Sequence, residues 1–265
     1  MGFFFDYDNT QKFPGGYSIG KTHSNIFCSN SSRHPHSVSI IKPFLMVHGL
    51  TYSSHEFNAY SFMPGSDYTA EDIAAARVIL ERSGMSQLDV LGWSWGSVTS
   101  GSFAAKYPGM VRRLVLYAPI VAGLADVEVT APFNHNTWIH AAGDFQVNAD
   151  KTINYSITEP EVVNAFQSNC WRYNKDSSPN GGRRNLLVSP EKRLIPTDKL
   201  TMPVLIIAGE KDQYVTPELC REAFATLSNK KSRIEIITGA AHAMMMEKPY
   251  YMQFREKVCV FLCAE

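Results

Sequence analysis

The sequence predicts an α/β fold, a mostly parallel sheet covered by helices on both faces. Two observations lead there. Short apolar runs of strand length alternate with longer stretches of helix length, the rhythm of repeated β–α–β units. The strand-like runs are mostly apolar, which fits a largely parallel sheet covered on both faces. Length agrees, since 265 residues suit one large α/β domain with a sizeable core.

The elements follow in order. Ile40 to Val47 reads as a buried strand, with Pro43 in its interior as a mild objection. Thr69 to Ser83 reads as a helix: Thr69 can cap it, Asp72 stands at the third position, and Gly84 follows its end. Leu88 to Gly92 is a short strand, and Ser94 to Tyr107 a helix stopped by Pro108-Gly109. Strands follow at Leu114 to Tyr117, Val204 to Ala208 and Ile234 to Ile237, and helices at Glu218 to Leu227 and Pro249 to Leu262. The stretch from Val121 to about Pro196 breaks the rhythm. It is rich in aromatics, among them Phe133, Trp138, Phe145, Phe166 and Trp171, and carries a turn at Ser178 to Gly182. It reads as a helical cap inserted into a single domain spanning residues 1–265.

Composition excludes several classes. Hydrophobic residues are 45% and charged residues 19%, which argues against disorder. Lys+Arg and Asp+Glu number 25 each, so the basic excess of a nucleic-acid binder is missing. No apolar run reaches the roughly 18 residues of a membrane span. The N-terminal Phe3-Phe4-Phe5 patch has no basic region before it, and Asp6 and Asp8 follow. That is not a signal peptide, and a cytoplasmic protein is expected. Asp6 also speaks against myristoylation at Gly2. Five cysteines without CxxC spacing read as free thiols, with Cys259 and Cys263 packing as small hydrophobes on the last helix. Asn30-Ser31-Ser32 and Asn154-Tyr155-Ser156 fit the glycosylation tripeptide, a pattern too common to establish secretion.

One motif carries chemistry. Gly92-Trp93-Ser94-Trp95-Gly96 matches G-x-S-x-G between an apolar strand and a helix, the order that a nucleophile elbow needs. The turn strains the serine, and close strand–helix approach leaves no room for side chains at 92 and 96. Serine needs a base, and the base an orienting carboxylate. Gly209-Glu210-Lys211-Asp212 and Thr238-Gly239-Ala240-Ala241-His242 each follow a strand. In a parallel sheet those ends line one crevice, so Ser94, Asp212 and His242 can meet. An oxyanion hole would draw on the backbone N–H of Trp95 and of Leu50, in the His48-Gly49-Leu50 loop.

With these motifs the chain, from about Lys42 onward, resembles the α/β-hydrolase-fold serine hydrolases. The resemblance implies Ser94 as nucleophile, His242 as base and then acid, and Asp212 as its partner, without cofactor or metal. Serine at the elbow speaks against the dehalogenase and epoxide hydrolase branches. One departure stands out. The family places a helix and a further strand between the oxyanion loop and the helix starting at Thr69. Only the 19 residues from Leu50 to Tyr68 are available, where roughly 28 would be needed. The chain is expected to be one sheet strand and a helix short between Leu50 and Tyr68, which weakens the sheet beside the oxyanion loop.

Other readings are weighed beside these. His48 reads as structural. His34, His36, His135 and His140 read as solvated loop residues rather than metal ligands, because no carboxylate or cysteine cluster completes a site. Met244-Met245-Met246 reads as core. Trp93 and Trp95 either line a pocket or pack beneath it. Glu210 and Asp126 are the alternative acids. The function expected is hydrolysis of a small to medium apolar carboxylic ester, lactone or thioester through an acyl-Ser94 intermediate. The alternatives are a proline-type aminopeptidase, echoed by Ser94-Trp95-Gly96-Ser97, and an inactive ligand-binding relative. A small-molecule substrate is the expected partner, and no residue reports on homodimerisation.

Overall fold

The computed structural model describes residues 11–12, 18–19, 44–47, 69–123, 129–174, 176–188 and 191–264. The elements are β1 (Gln11–Lys12), β2 (Ser18–Ile19), β3 (Phe44–Val47), α1 (Thr69–Ser83), β4 (Leu88–Trp93), α2 (Trp95–Lys106) and β5 (Val111–Tyr117). Between β5 and the next sheet strand lie β6 (Phe133–His135), α3 (Pro160–Asn174), β7 (Ser177–Pro179) and α4 (Gly181–Leu186). The chain closes with β8 (Val204–Gly209), α5 (Pro217–Ala225), β9 (Arg233–Ile237) and α6 (Tyr250–Cys263).

Seven strands form one sheet in the order β1-β2-β3-β4-β5-β8-β9. From β3 to β9 every pairing is parallel, and β1 and β2 extend the edge antiparallel. The apolar strand runs are explained by what lies on each face. Leu88 and Val90 of β4, Leu114 and Leu116 of β5, and Val204 and Ile206 of β8 face a core shared with Ile79 of α1, Phe103 of α2 and Ala223 of α5. The alternate residues Leu91, Val115, Tyr117, Leu205 and Ile207 face a second core built with Phe254, Val258 and Phe261 of α6. Successive side chains point to opposite faces of a strand, so a central strand buried on both must be apolar at nearly every position.

The expected elements are present, and apart from the start of the first expected strand their ends agree to within three residues. The helix expected over 69–83 has those bounds, and Thr69 is its first residue. The strand containing Pro43 is described from Phe44 onward, just past the proline. Two readings are corrected. The turn expected at Ser178 to Gly182 is the end of β7 followed by the start of α4. The region between β5 and β8 is also not purely helical, because β6 and β7 form an antiparallel pair across α3. These strands are three residues long, too short for a periodic signal.

The cysteine reading changes as well. Cys170, Cys220 and Cys263 are free, but Cys263 is exposed, and Cys259 is disulfide-bonded. The expectation that all five are free thiols is therefore wrong at Cys259. Leu50 to Tyr68, with the expected missing helix and strand, lies outside the described residues, as do Asp126, His34, His36 and His48. The described part of this region shows β3 paired directly with β4, in register from Phe44 opposite Asp89 to Val47 opposite Gly92.

Candidate active site

β4 runs straight into α2, and Ser94 is the single residue between them. Its backbone has φ 56° and ψ −121°, a region that costs a non-glycine residue of order 1–3 kcal/mol. The neighbourhood enforces it. The Ser94 N–H donates to the Tyr117 carbonyl at 2.9 Å, and the Ser94 carbonyl accepts from the Ser97 N–H at 3.0 Å. The Ser97 hydroxyl also donates to that carbonyl, at 2.5 Å. A Cβ at Gly92 would lie 2.3 Å from the Gly96 carbonyl oxygen, so the strand and helix can meet this closely only without a side chain there.

Asp212 and His242 come from the loops after β8 and β9. Their strands are neighbours in register, and the loops interlock. Glu210 N–H donates to the Ile237 carbonyl at 3.0 Å and Lys211 N–H to the Ala240 carbonyl at 2.8 Å. Gly209 makes this approach possible, since a Cβ there would meet the Ala240 carbonyl oxygen at 2.3 Å. The outcome is a short contact: His242 Nδ1 lies 2.9 Å from Asp212 Oδ2 and 3.1 Å from Oδ1. Both side chains are almost wholly removed from water. Asp212 Oδ1 also accepts from the N–H groups of Tyr214, at 2.9 Å, and Val215, at 3.1 Å. Three donors thus converge on one buried carboxylate, which satisfies it and fixes its orientation.

Burial opposes a charge on His242. The hydrogen bond and negative charge of Asp212, with a further contribution from Asp144, outweigh it and hold the imidazole above its ordinary pKa. Aromatic rings frame the histidine. Tyr214 stands edge-on at 4.8 Å between centroids, and Trp93, next to Ser94, lies at 5.7 Å.

The structure sorts the remaining expectations. Trp95 is the buried first residue of α2 and packs into the core. Trp93 lies against His242, Tyr117 and Phe166. Met244 is core, Met245 packs partly buried against the same cluster, and Met246 packs against Phe145 and Ala243. Glu210 accepts from the Gly239 N–H at 2.9 Å, and the carboxylate on His242 is that of Asp212. Leu50 lies outside the described residues. No group of three metal-ligating side chains occurs among the described residues.

Sequence reasoning missed four contributors. Glu247 is fully buried and accepts from the Gln146 N–H at 2.7 Å and from its amide Nε2 at 3.2 Å. Gln146 Nε2 also donates to the Gly239 carbonyl at 3.0 Å. This ties the segment between β5 and β8 to the loop that carries His242. Burial raises the Glu247 carboxyl pKa. Asp144 lies between Ala142 and Phe145, which pack on Ala243 beside His242, and burial raises its pKa too. Tyr117 completes the set. None of these bears a local motif.

Comparison with known proteins places this arrangement. The family model for serine aminopeptidases, S33, matches residues 45–249. A pimeloyl-[acyl-carrier protein] methyl ester esterase from Neisseria meningitidis serogroup B is 27% identical over 190 residues, covering 65% of this chain and 68% of the relative. Among solved structures, a hydrolase from Pseudomonas aeruginosa PA01 superposes with a TM-score of 0.62 at 17% identity, covering 97% of this chain and all of the other. An esterase from Rhodococcus sp. ECU1013 gives 0.54 at 20% identity, covering 84% and 90%. The strained serine between β4 and α2, the loops after β8 and β9 and the match over most of the chain agree: this protein has the α/β-hydrolase fold and belongs to the S33 serine aminopeptidase family.

Proposed function

We propose that the protein is a serine hydrolase that cleaves a carboxylic ester, lactone or thioester of a small to medium apolar substrate. The observation that carries the proposal is the buried Asp212–His242 pair, held at 2.9 Å at the C-terminal ends of the parallel strands, where the strained Ser94 also lies. Ser94 attacks the carbonyl carbon while His242 takes its proton. Asp212 fixes the imidazole by its Nδ1 side and stabilises the imidazolium. The N–H groups of Trp95 and Leu50 hold the oxyanion. His242 then protonates the leaving group, and water attacks the acyl-Ser94 with His242 as base again. The segment from about 121 to 196 acts as a cap over this site, with Phe166 and Trp93 supplying apolar walls. Esterase relatives support the ester as substrate.

The family description favours a second reading, a proline-type aminopeptidase. One panel separates the two. Purified protein is assayed with p-nitrophenyl esters of graded chain length, lactones and a proline arylamide. Preference for an ester or lactone supports the proposal, and preference for the arylamide supports the aminopeptidase. Tight ligand binding without turnover of any of them supports an inactive receptor. A cytoplasmic location is part of the proposal. Among the described residues no helix is long and apolar enough to cross a membrane.

A further inference from the structure

Tyr117 closes β5, the strand beside the one that ends at Ser94. It is completely buried and has two polar arms. Its backbone carbonyl accepts the Ser94 N–H at 2.9 Å. Its hydroxyl donates to the His242 carbonyl at 2.5 Å and accepts from the Met245 N–H at 3.4 Å. The ring itself is clamped. It stacks on Trp93 at 5.9 Å with planes 12° apart, and meets Phe254 at 4.6 Å. One residue therefore touches the main chain of Ser94 with one end and the main chain of His242 with the other.

A buried tyrosine hydroxyl normally finds some partner, so a hydrogen bond alone would be unremarkable packing. Here the partner is the histidine's own carbonyl. The turns on either side close on themselves, Ala240 N–H to the Ile237 carbonyl at 3.2 Å and Met246 N–H to the Ala243 carbonyl at 2.8 Å. His242 lies between them. Burial also pushes the phenol pKa well up, which keeps the hydroxyl a donor.

We propose that Tyr117 is a positioning residue that sets the separation of Ser94 and His242, its carbonyl holding the first and its hydroxyl the second. This rests on the reading of those two residues as nucleophile and base. Misplacement of reacting groups by about 1 Å can cost about 100-fold in rate, so the hydroxyl has leverage without touching substrate.

The test is Tyr117→Phe, which removes the hydroxyl arm and keeps the carbonyl arm. Rates of fluorophosphonate labelling, kcat and KM on an ester, and thermal midpoint are measured for wild type, Tyr117→Phe and Ile79→Val. Ile79 is buried on α1 against the other face of the sheet and serves as the control for lost stability. The proposal expects labelling and kcat to fall about 10- to 100-fold in Tyr117→Phe, with KM within about twofold, and wild-type rates in Ile79→Val. Labelling of Tyr117→Phe within about twofold of wild type overturns the proposal and leaves the serine hydrolase reading intact. Equal slowing of both variants overturns it too, by reducing the hydroxyl to general stability. Folded wild type that does not label overturns the hydrolase reading itself, and the tyrosine's role falls with it.

Discussion

The rim formed by the C-terminal ends of the parallel strands (the sheet edge) and the segment between β5 and β8 meet at His242 and hold their residues in different ways. At the sheet edge the backbone does much of the holding, beside the Asp212 carboxylate and the Tyr117 hydroxyl. Ser94 is pinned through its N–H and its carbonyl, and the loops of Asp212 and His242 are laced by amide-to-carbonyl bonds. Two glycines, Gly92 and Gly209, let main chains approach too closely for any side chain. The intervening segment is tied largely by side chains, beside a backbone bond from the Lys248 N–H to the Ile157 carbonyl. Gln146 grips Glu247 and the Gly239 carbonyl, Gln213 reaches the Gly143 carbonyl at 3.1 Å, and Gln167 reaches the Trp138 carbonyl at 2.8 Å. Its surface leaves Trp138, Ile139 and Tyr155 exposed. Backbone lacing survives most substitutions, because every residue carries the same N–H and C=O. Side-chain ties depend on one residue each. The chemistry should thus depend on the sheet edge, and substrate binding on the segment.

The predictions press on that division, from large effects to small. Ser94→Ala should lower kcat by about 10⁶-fold with the fold unchanged, and Asp212→Asn by about 10⁴-fold, because the histidine loses its orienting charge. Steady-state kinetics beside circular dichroism checks both. If either change costs less than tenfold, the sheet edge is not where the chemistry lies.

The pH profile probes how far the segment reaches into the chemistry. His242 must be neutral to accept the serine proton, and its pKa is held above the ordinary value. Activity should therefore fall as pH drops through a midpoint above about 6.5. Asp144 contributes to that raising, so Asp144→Asn should move the midpoint down. An unmoved midpoint would mean the sheet edge sets the base alone. The smallest effect is expected from Gln146→Ala, which removes the amide arm of the Glu247 tie and keeps the backbone arm. KM should rise a few-fold and kcat hold, as for loss of uniform binding. A fall in kcat with KM unchanged would put the tie into the chemistry instead.

Much of the sheet edge is legible in the sequence, for a physical reason. Central strands must be apolar on both faces, so β4, β5 and β8 stand out as runs. The elbow needs glycine at 92, and the loops of Asp212 and His242 sit at strand ends, so position follows from topology. The ties of the segment leave no such trace. Glu247 and Gln146 are 101 residues apart, and nothing local distinguishes a buried glutamate from a solvated one. Tyr117 reads as one more apolar strand residue, and its hydroxyl finds His242 only across 125 positions. The strands β1 and β2 are two residues each, below the length at which alternation can be seen. The Cys259 disulfide was missed because five cysteines without a spacing pattern carry no pairing information.

The central claim is that Ser94 is an activated nucleophile. Fluorophosphonate labelling of purified protein, read by intact mass beside Ser94→Ala, tests it most directly. One phosphonyl adduct is expected on the wild type and none on the variant. A folded wild type that stays unlabelled, or a variant that labels equally, would contradict it.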